Sequence, residues 1–220
     1  MGALFRAFRM AAVMMVAAMG LVSCAEDTVG ADPYANWEKR NVEFIDSIAA
    51  VAANPPEGET WRKFFDYAIS FDKEPGDLLE PYEKKVEDFV YVKYRNADDI
   101  LDEEAIADAG LEYPVIYGDT LVAAYQGFLI NGTRFDGNYS GTFDPEVNDN
   151  FTKFALTDQR NNANGGLIAG WVIALMHMKC PMKDAVEIYI PYQLSYGTAG
   201  SGSSIPGYSA LIFEMYVDEV

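Results

Sequence analysis

The sequence predicts an α+β fold: an antiparallel sheet of about five strands with one short helix packed across it, behind an N-terminal helical extension. Three observations predict it. From about residue 87 onward, short alternating runs rich in β-branched and aromatic residues recur between turn signals. Only one convincing helix-period stretch interrupts them, "GLIAGWVIALMHM" at residues 166–178. Before residue 87, by contrast, apolar residues fall at helical spacings. Runs of strands with a segregated helix are the mark of an α+β layout, and no internal repeat appears.

The chain opens with Arg6 and Arg9, an uncharged apolar run over residues 10–22 and then small residues. That order describes a secretory signal peptide, residues 1–23. The apolar run is too short to cross a bilayer comfortably. "LVSC", ending at Cys24, resembles a bacterial lipobox, in which the cysteine is lipidated and becomes the mature N-terminus. Acyl chains contribute about 0.8 kcal/mol per buried methylene, so several on Cys24 hold a protein at a membrane. The expectation is an exported protein, lipid-anchored to a bacterial membrane on its periplasmic side or at the cell surface, with residues 24–35 as the tether.

Residues 36–86 are read as a helical extension. In "NWEKRNVEFIDSIAAVAAN", Trp37, Val42, Ile45, Ile48, Ala49 and Ala52 make one apolar face, with Asn36 as N-cap and "PPEGE" as the stop. "TWRKFFDYAISF" is read as a second short helix capped by Thr60 and showing Trp61, Phe64, Phe65 and Ala68. Two helices cannot enclose a core, so they pack on a second copy or on the domain that follows, residues 87–220. There, "DFVYVKYR" is a strand, and "NADDILDEEAIADAG" an acidic interruption read as a solvated helix. "DTLVAAYQGFLINGTRFDG" is a hairpin turning at Asn131-Gly132. "FTKFAL" is a further strand; "AVEIYIP" and "ALIFEMYV" close the sheet.

Charge excludes one class of partner. The chain has 16 basic and 34 acidic residues; loss of residues 1–23 removes two basic and no acidic ones, leaving a net charge of −20. Nucleic-acid binding needs a basic stripe, and none exists. With Cys24 acylated, Cys180 has no disulfide partner and reads as a partly buried apolar residue. His177 is the single histidine and has no second ligand for zinc and no triad, so it reads as a surface or packing residue. No metal and no cofactor are expected. A calcium loop over "DGNYSGTFDPEV" fails at its last position, Val147, where a glutamate is needed.

The later half resembles the FKBP-type peptidyl-prolyl cis-trans isomerases. The match is carried by Tyr125 and Gly127 in "YQG", Gly132, Phe135 and Asp136 in "NGTRFDG", and Phe154 in "FTKFAL". It continues with Ile168, Gly170 and Trp171 in "LIAGW", Pro191 in "YIP", and Tyr196 and Gly197 in "LSYGTAG". Ile205 and Pro206 in "SIP" and Phe213 in "ALIFEM" complete it. The resemblance implies a half-barrel sheet wrapped on the helix, with Trp171 as the floor of an active cleft. Tyr125, Phe135 and Phe213 would be its walls, and Asp136 a hydrogen-bond acceptor at its edge. Leu167 and Ile168 would form a rim where the Ile168 N–H meets a ligand carbonyl. Tyr196 would offer its hydroxyl, and the Gly/Ser-rich stretch from Tyr196 to Ile205, read as flexible, would be a flap. A further aromatic of the family is either Phe151 or absent, since the acidic loop over residues 137–150 departs from the family's pattern.

The implied activity is rotation of X–Pro bonds in unfolded or proline-containing polypeptides, with the N-terminal helices supplying homodimerisation or client grip. The alternative is a binding module with an isomerase-like cleft and little turnover.

Overall fold

The structure, a computed structural model, describes residues 32–66, 68, 83–101, 117–161 and 165–219. The expected signal peptide, Cys24 and most of the expected acidic helix lie outside the described residues. The elements below belong to one compact unit, residues 36–220.

Helix α1, Trp37–Ala53, buries Trp37, Asn41, Ile45 and Ile48, a stripe stepping by three or four residues. Val42 falls off that stripe and is 42% exposed. Asn36 does precede the helix, but it sits at φ +53° and its side chain makes no cap hydrogen bond.

The first half of the expected second helix is instead a strand; of its last five residues only Ala68, which is helical, is among the described residues. Thr60–Phe65 is β1, paired antiparallel along its whole length with β2, Phe89–Tyr94, from Thr60↔Tyr94 to Phe65↔Phe89. Six backbone partners outweigh the helical spacing of its aromatics. A helix would gather Trp61 and Phe64 on one face; the strand places them in different clusters. Trp61 stacks on Tyr189 at 5.4 Å beneath α1, and Phe64 stacks on His177 at 4.3 Å on the other side. The sheet therefore begins on the N-terminal side of the boundary expected after residue 86.

The remaining elements are β3, Thr120–Leu129; β4, Arg134–Gly137; β5, Thr152–Ala155; α2, Ala169–Leu175; β6, Val186–Ile190; and β7, Leu211–Glu219. The sheet has seven strands in the order β1-β2-β6-β7-β3-β4, with β5 also on β3, all antiparallel. The expected strands are all present, and the sheet is wider than the five foreseen. β3 and β4 join through a turn in which Gly132 donates to Leu129 O and Leu129 donates to Thr133 O, with Gly132 at φ +82°. That is a type I turn followed by a left-handed bulge residue, a position glycine takes without a steric cost.

Among the described residues, one helix packs on each face of the sheet. β2 shows how alternation serves both layers: Val90, Val92 and Tyr94 join the core under α2, while Phe89 and Tyr91 join the cluster under α1. All seven residues of α2 are buried. A Cβ at Gly170 would run into the side chain of Ile190, so glycine lets the helix lie directly on β6. Asp99, in the stretch expected to be solvated, is buried and accepts the N–H groups of Lys183 (2.7 Å) and Asp184 (3.0 Å). Burial holds its carboxyl above the usual aspartate range.

An ion triad ties β1 to the loop ahead of α2. Arg160 donates to Asp66 through both terminal nitrogens, at 2.7 and 3.1 Å, and to Asp158 through Nε and Nη2, at 2.9 and 2.7 Å. Both carboxylates are buried, while the arginine side chain is 32% exposed. Removing the cation strands two buried anions. Arg160→Gln is expected to cost about 3 kcal/mol in urea unfolding, and an unchanged midpoint would show that water already neutralises the pair.

Candidate active site

Register decides which side chains meet over α2. Tyr125 pairs with Met215 and Gly127 with Phe213, so these four share one face of the sheet. Ala124, Gln126, Glu214 and Tyr216 occupy the other. On the α2 side, three rings converge on the Trp171 indole edge-on: Tyr125 at 5.0 Å, Phe213 at 5.0 Å and Phe154 at 5.4 Å. Phe135 joins through Phe213 at 5.5 Å and 88°. Such edge-to-face contacts set positive ring edges against negative faces. Trp171 is 5% exposed and lies beneath these rings; Tyr125, Phe135, Phe154, Leu167 and Tyr196 are half-buried against the same core.

Gly127 makes this packing possible. A Cβ there would lie 2.7 Å from both Phe135 and Phe213, so the two phenyls rest against bare backbone.

One carboxylate borders the rings. The Tyr125 hydroxyl donates to Asp136 Oδ2 at 3.0 Å. Burial first, and then that hydrogen bond and charge, push the Tyr125 hydroxyl well above the ordinary tyrosine range. Tyr196 is raised by burial and by the Asp136 charge, which places it within electrostatic reach of the same carboxylate. Both phenols therefore stay protonated donors across the physiological range.

The rim is held by backbone. Leu167 donates to Thr157 O at 2.7 Å and accepts from Gln159 at 2.9 Å. Ile168 precedes the helix in an extended conformation, its carbonyl accepting from Trp171. Three donors at the hollow have no partner among the described residues: the Ile168 amide, the Tyr196 hydroxyl and the buried Trp171 Nε1.

The stretch from Tyr196 to Ile205, read as flexible, is a closed hydrogen-bonded loop. Gly197, Gly200 and Gly202 have positive φ, and Ser201 and Ile205 exchange both backbone bonds, at 2.8 and 3.1 Å. Its small residues serve turn geometry. Ile205 is buried in the same core as Trp171.

Of the residues expected at the site, Tyr125, Phe135, Trp171 and Phe213 meet ring to ring and Asp136 is hydrogen-bonded to Tyr125; Leu167 and Ile168 lead into α2, and Tyr196 and Ile205 share its core. Phe151 does not join them: it packs on Tyr216 at 6.3 Å, beside Phe143, on the other face of β7. Phe154, two residues into β5, supplies the wall ring instead. Asn138, within "DGNYSGTFDPEV", carries no sequence signal of its place beside the site. It fills the gap between β4 and β5 by accepting from Tyr125 N (2.8 Å) and donating to Ala123 O (2.9 Å) and Thr152 Oγ1 (3.1 Å). Its amide side chain thus replaces a missing stretch of strand.

Residues 114–218 match the family described as FKBP-type peptidyl-prolyl cis-trans isomerase. This segment belongs to the FKBP-type family. The FKBP-type 22 kDa peptidyl-prolyl cis-trans isomerase of Escherichia coli is 33% identical over 122 residues, covering 51% of this chain and 51% of that protein. Peptidyl-prolyl cis-trans isomerase Mip of Coxiella burnetii is 34% identical over 116 residues, covering 48% and 43%. The match thus spans about half the length of these relatives or less. A crystal structure of a peptidyl-prolyl cis-trans isomerase from Pseudomonas syringae pv. tomato is similar with a TM-score of 0.47 and 19% identity, over 86% of this chain and 97% of that one.

Among the described residues, Cys180 makes no ring or hydrogen-bond contact with the aromatic cluster. Burial, with the charges of Asp218 and Glu219, pushes its thiol up to about 11, so it is a poor nucleophile at neutral pH.

Gly127→Ala is expected to displace both phenyls and destabilise the fold by about 1–3 kcal/mol, read by thermal or urea unfolding. Stability equal to the parent would mean that the rings have room to retreat.

Proposed function

We propose that this chain is a peptidyl-prolyl cis-trans isomerase acting on proline-containing, unfolded or folding polypeptides. One observation carries the reading. Four aromatic rings converge beside a single carboxylate, with three donors unpartnered among the described residues next to them.

The chemistry needs no covalent step. Rotation about an X–Pro bond must break amide resonance, across a barrier of roughly 18–20 kcal/mol. The planar amide is more charge-separated than the twisted one, so removing water penalises the ground state more than the transition state. Trp171, Tyr125, Phe154 and Phe213 supply that water-poor surface for the pyrrolidine ring. The Ile168 N–H and the Tyr196 hydroxyl are free to hold flanking carbonyls in the twisted geometry. Asp136 fixes the Tyr125 hydroxyl and adds negative potential at the edge, without moving a proton.

The protein would work at a bacterial membrane, exported and held by acyl chains on Cys24. The lipobox-like "LVSC" supports this, and the mature net charge of −20 would keep the domain off anionic lipid. Self-association through α1 would have to use the outward side near Val42, since Ile45 and Ile48 are buried against the sheet.

In a protease-coupled assay with a proline tetrapeptide, the full chain in detergent is expected to exceed the uncatalysed rate. Trp171→Ala should lose at least about tenfold in kcat/KM through lost pocket packing, and Asp136→Ala a smaller amount. The profile should be flat from pH 6 to 9, because the raised hydroxyls of Tyr125 and Tyr196 do not titrate there. No acceleration by the parent would leave a binding module. Labelling of cells with radioactive palmitate should mark the protein, and Cys24→Ala should abolish the label; label retained in that variant would remove the anchor.

A further inference from the structure

Helix α1 does more than cover the far face of the sheet. Its first two turns reach the loop that carries Tyr196 and Ile205. The Trp37 indole N–H donates to Ser209 Oγ at 2.9 Å, and the Ala210 N–H donates to Asn41 Oδ1 at 2.8 Å. Asn41 is itself fixed by donating from Nδ2 to Trp37 O at 2.7 Å. All four residues are buried, where a lost partner is felt in full.

Ser209 is the junction between that helix and both ends of the flap. Its hydroxyl passes the contact on by donating to Pro206 O at 2.6 Å, next to Ile205. Its carbonyl lies 3.3 Å from Ser195 Oγ, which also points to Tyr192 O at 3.2 Å, next to Tyr196. Between them, Tyr208 donates to Gly197 O at 3.0 Å. Two α1 side chains, about 170 residues away in sequence, thus end a chain of contacts one residue short of each flap residue of the hollow.

We propose that α1 is a positioning element of the isomerase site, with Trp37 and Asn41 holding the flap through Ser209 and Ala210 so that Tyr196 and Ile205 stay at the rim over Trp171. This rests on the isomerase reading and adds to it that catalysis depends on a helix outside the segment that matches the family. Trp37 and Asn41 touch no substrate; they set where the Tyr196 hydroxyl stands.

The test compares the full chain with Trp37→Phe, which keeps an aromatic ring and deletes the donor, with Asn41→Ala, with Ser209→Ala and with Val42→Ala as a helix-surface control. Two quantities are read: kcat/KM on proline tetrapeptides, and hydrogen exchange of the amides of residues 195–210. Trp37→Phe is expected to lower kcat/KM about five- to tenfold and to speed flap exchange while amides of β3 and β7 keep their protection. Ser209→Ala should do the same, the double variant should add little to either single change, and Val42→Ala should match the parent. Exchange confined to the flap separates lost positioning from general unfolding. Flap exchange and kcat/KM within twofold of the parent in both Trp37→Phe and Asn41→Ala would overturn the proposal. If the parent itself fails to accelerate isomerisation, the activity reading falls, and unchanged or faster flap exchange in Trp37→Phe still decides whether α1 holds the flap.

Discussion

Three strands and a seven-residue helix meet on one indole. Tyr125 comes from β3, Phe154 from β5 and Phe213 from β7, and each presents an edge to Trp171. That convergence constrains much of the domain. The helix must be short and buried on every side, which glycine at 170 permits against Ile190. Strand β3 must lack a side chain at residue 127 so that two phenyls can lie on its backbone. The register of β3 on β7 must put Tyr125 and Gly127 on the inner face, and a slip of one residue would exchange the inner and outer sets.

Rings alone would make an ordinary core. Beside these rings, however, stands polar equipment left idle at one edge. Buried donors in native folds are nearly always paired, yet Trp171 Nε1 is not, and the Ile168 amide and Tyr196 hydroxyl are likewise unused among the described residues. Elsewhere the Tyr94 and Tyr139 hydroxyls are also buried without a partner, while other buried polar groups are closely satisfied. Asp99 takes two amides, Asn138 makes three hydrogen bonds, and Arg160 is shared by two carboxylates. A peptide carbonyl is the natural complement of the Ile168 amide and the Tyr196 hydroxyl.

Much of this was legible in the sequence, for a physical reason in each case. Strands β2, β3, β5, β6 and β7 show because their alternation is the signature of a surface half-buried on each side. The wall residues were legible through the order of short family motifs. The failures have one source: sequence spacing does not report partners distant in the chain. Trp61, Phe64 and Phe65 have helical spacing, but a waiting edge on β2 made them a strand. The Gly/Ser stretch reads as flexible until its positive-φ glycines and cross-loop hydrogen bonds are seen. Phe151 and Phe154 are equally aromatic, and only the pairing of Phe154 with Leu121 directs one of them to Trp171. The role of Asn41, a polar residue on an otherwise apolar stripe, appears only with its partner Ala210 in place.

The central claim is that a prolyl ring sits on the Trp171 indole. Its most direct test is the indole N–H spectrum of the 15N-labelled chain, which has three tryptophans, titrated with a short Ala-Pro-Phe peptide. The account predicts that the Trp171 resonance shifts with peptide while those of Trp37 and Trp61 hold, and that cis and trans peptide signals exchange only when the protein is present. A Trp171 resonance that stays fixed while peptide binding is seen elsewhere would contradict it.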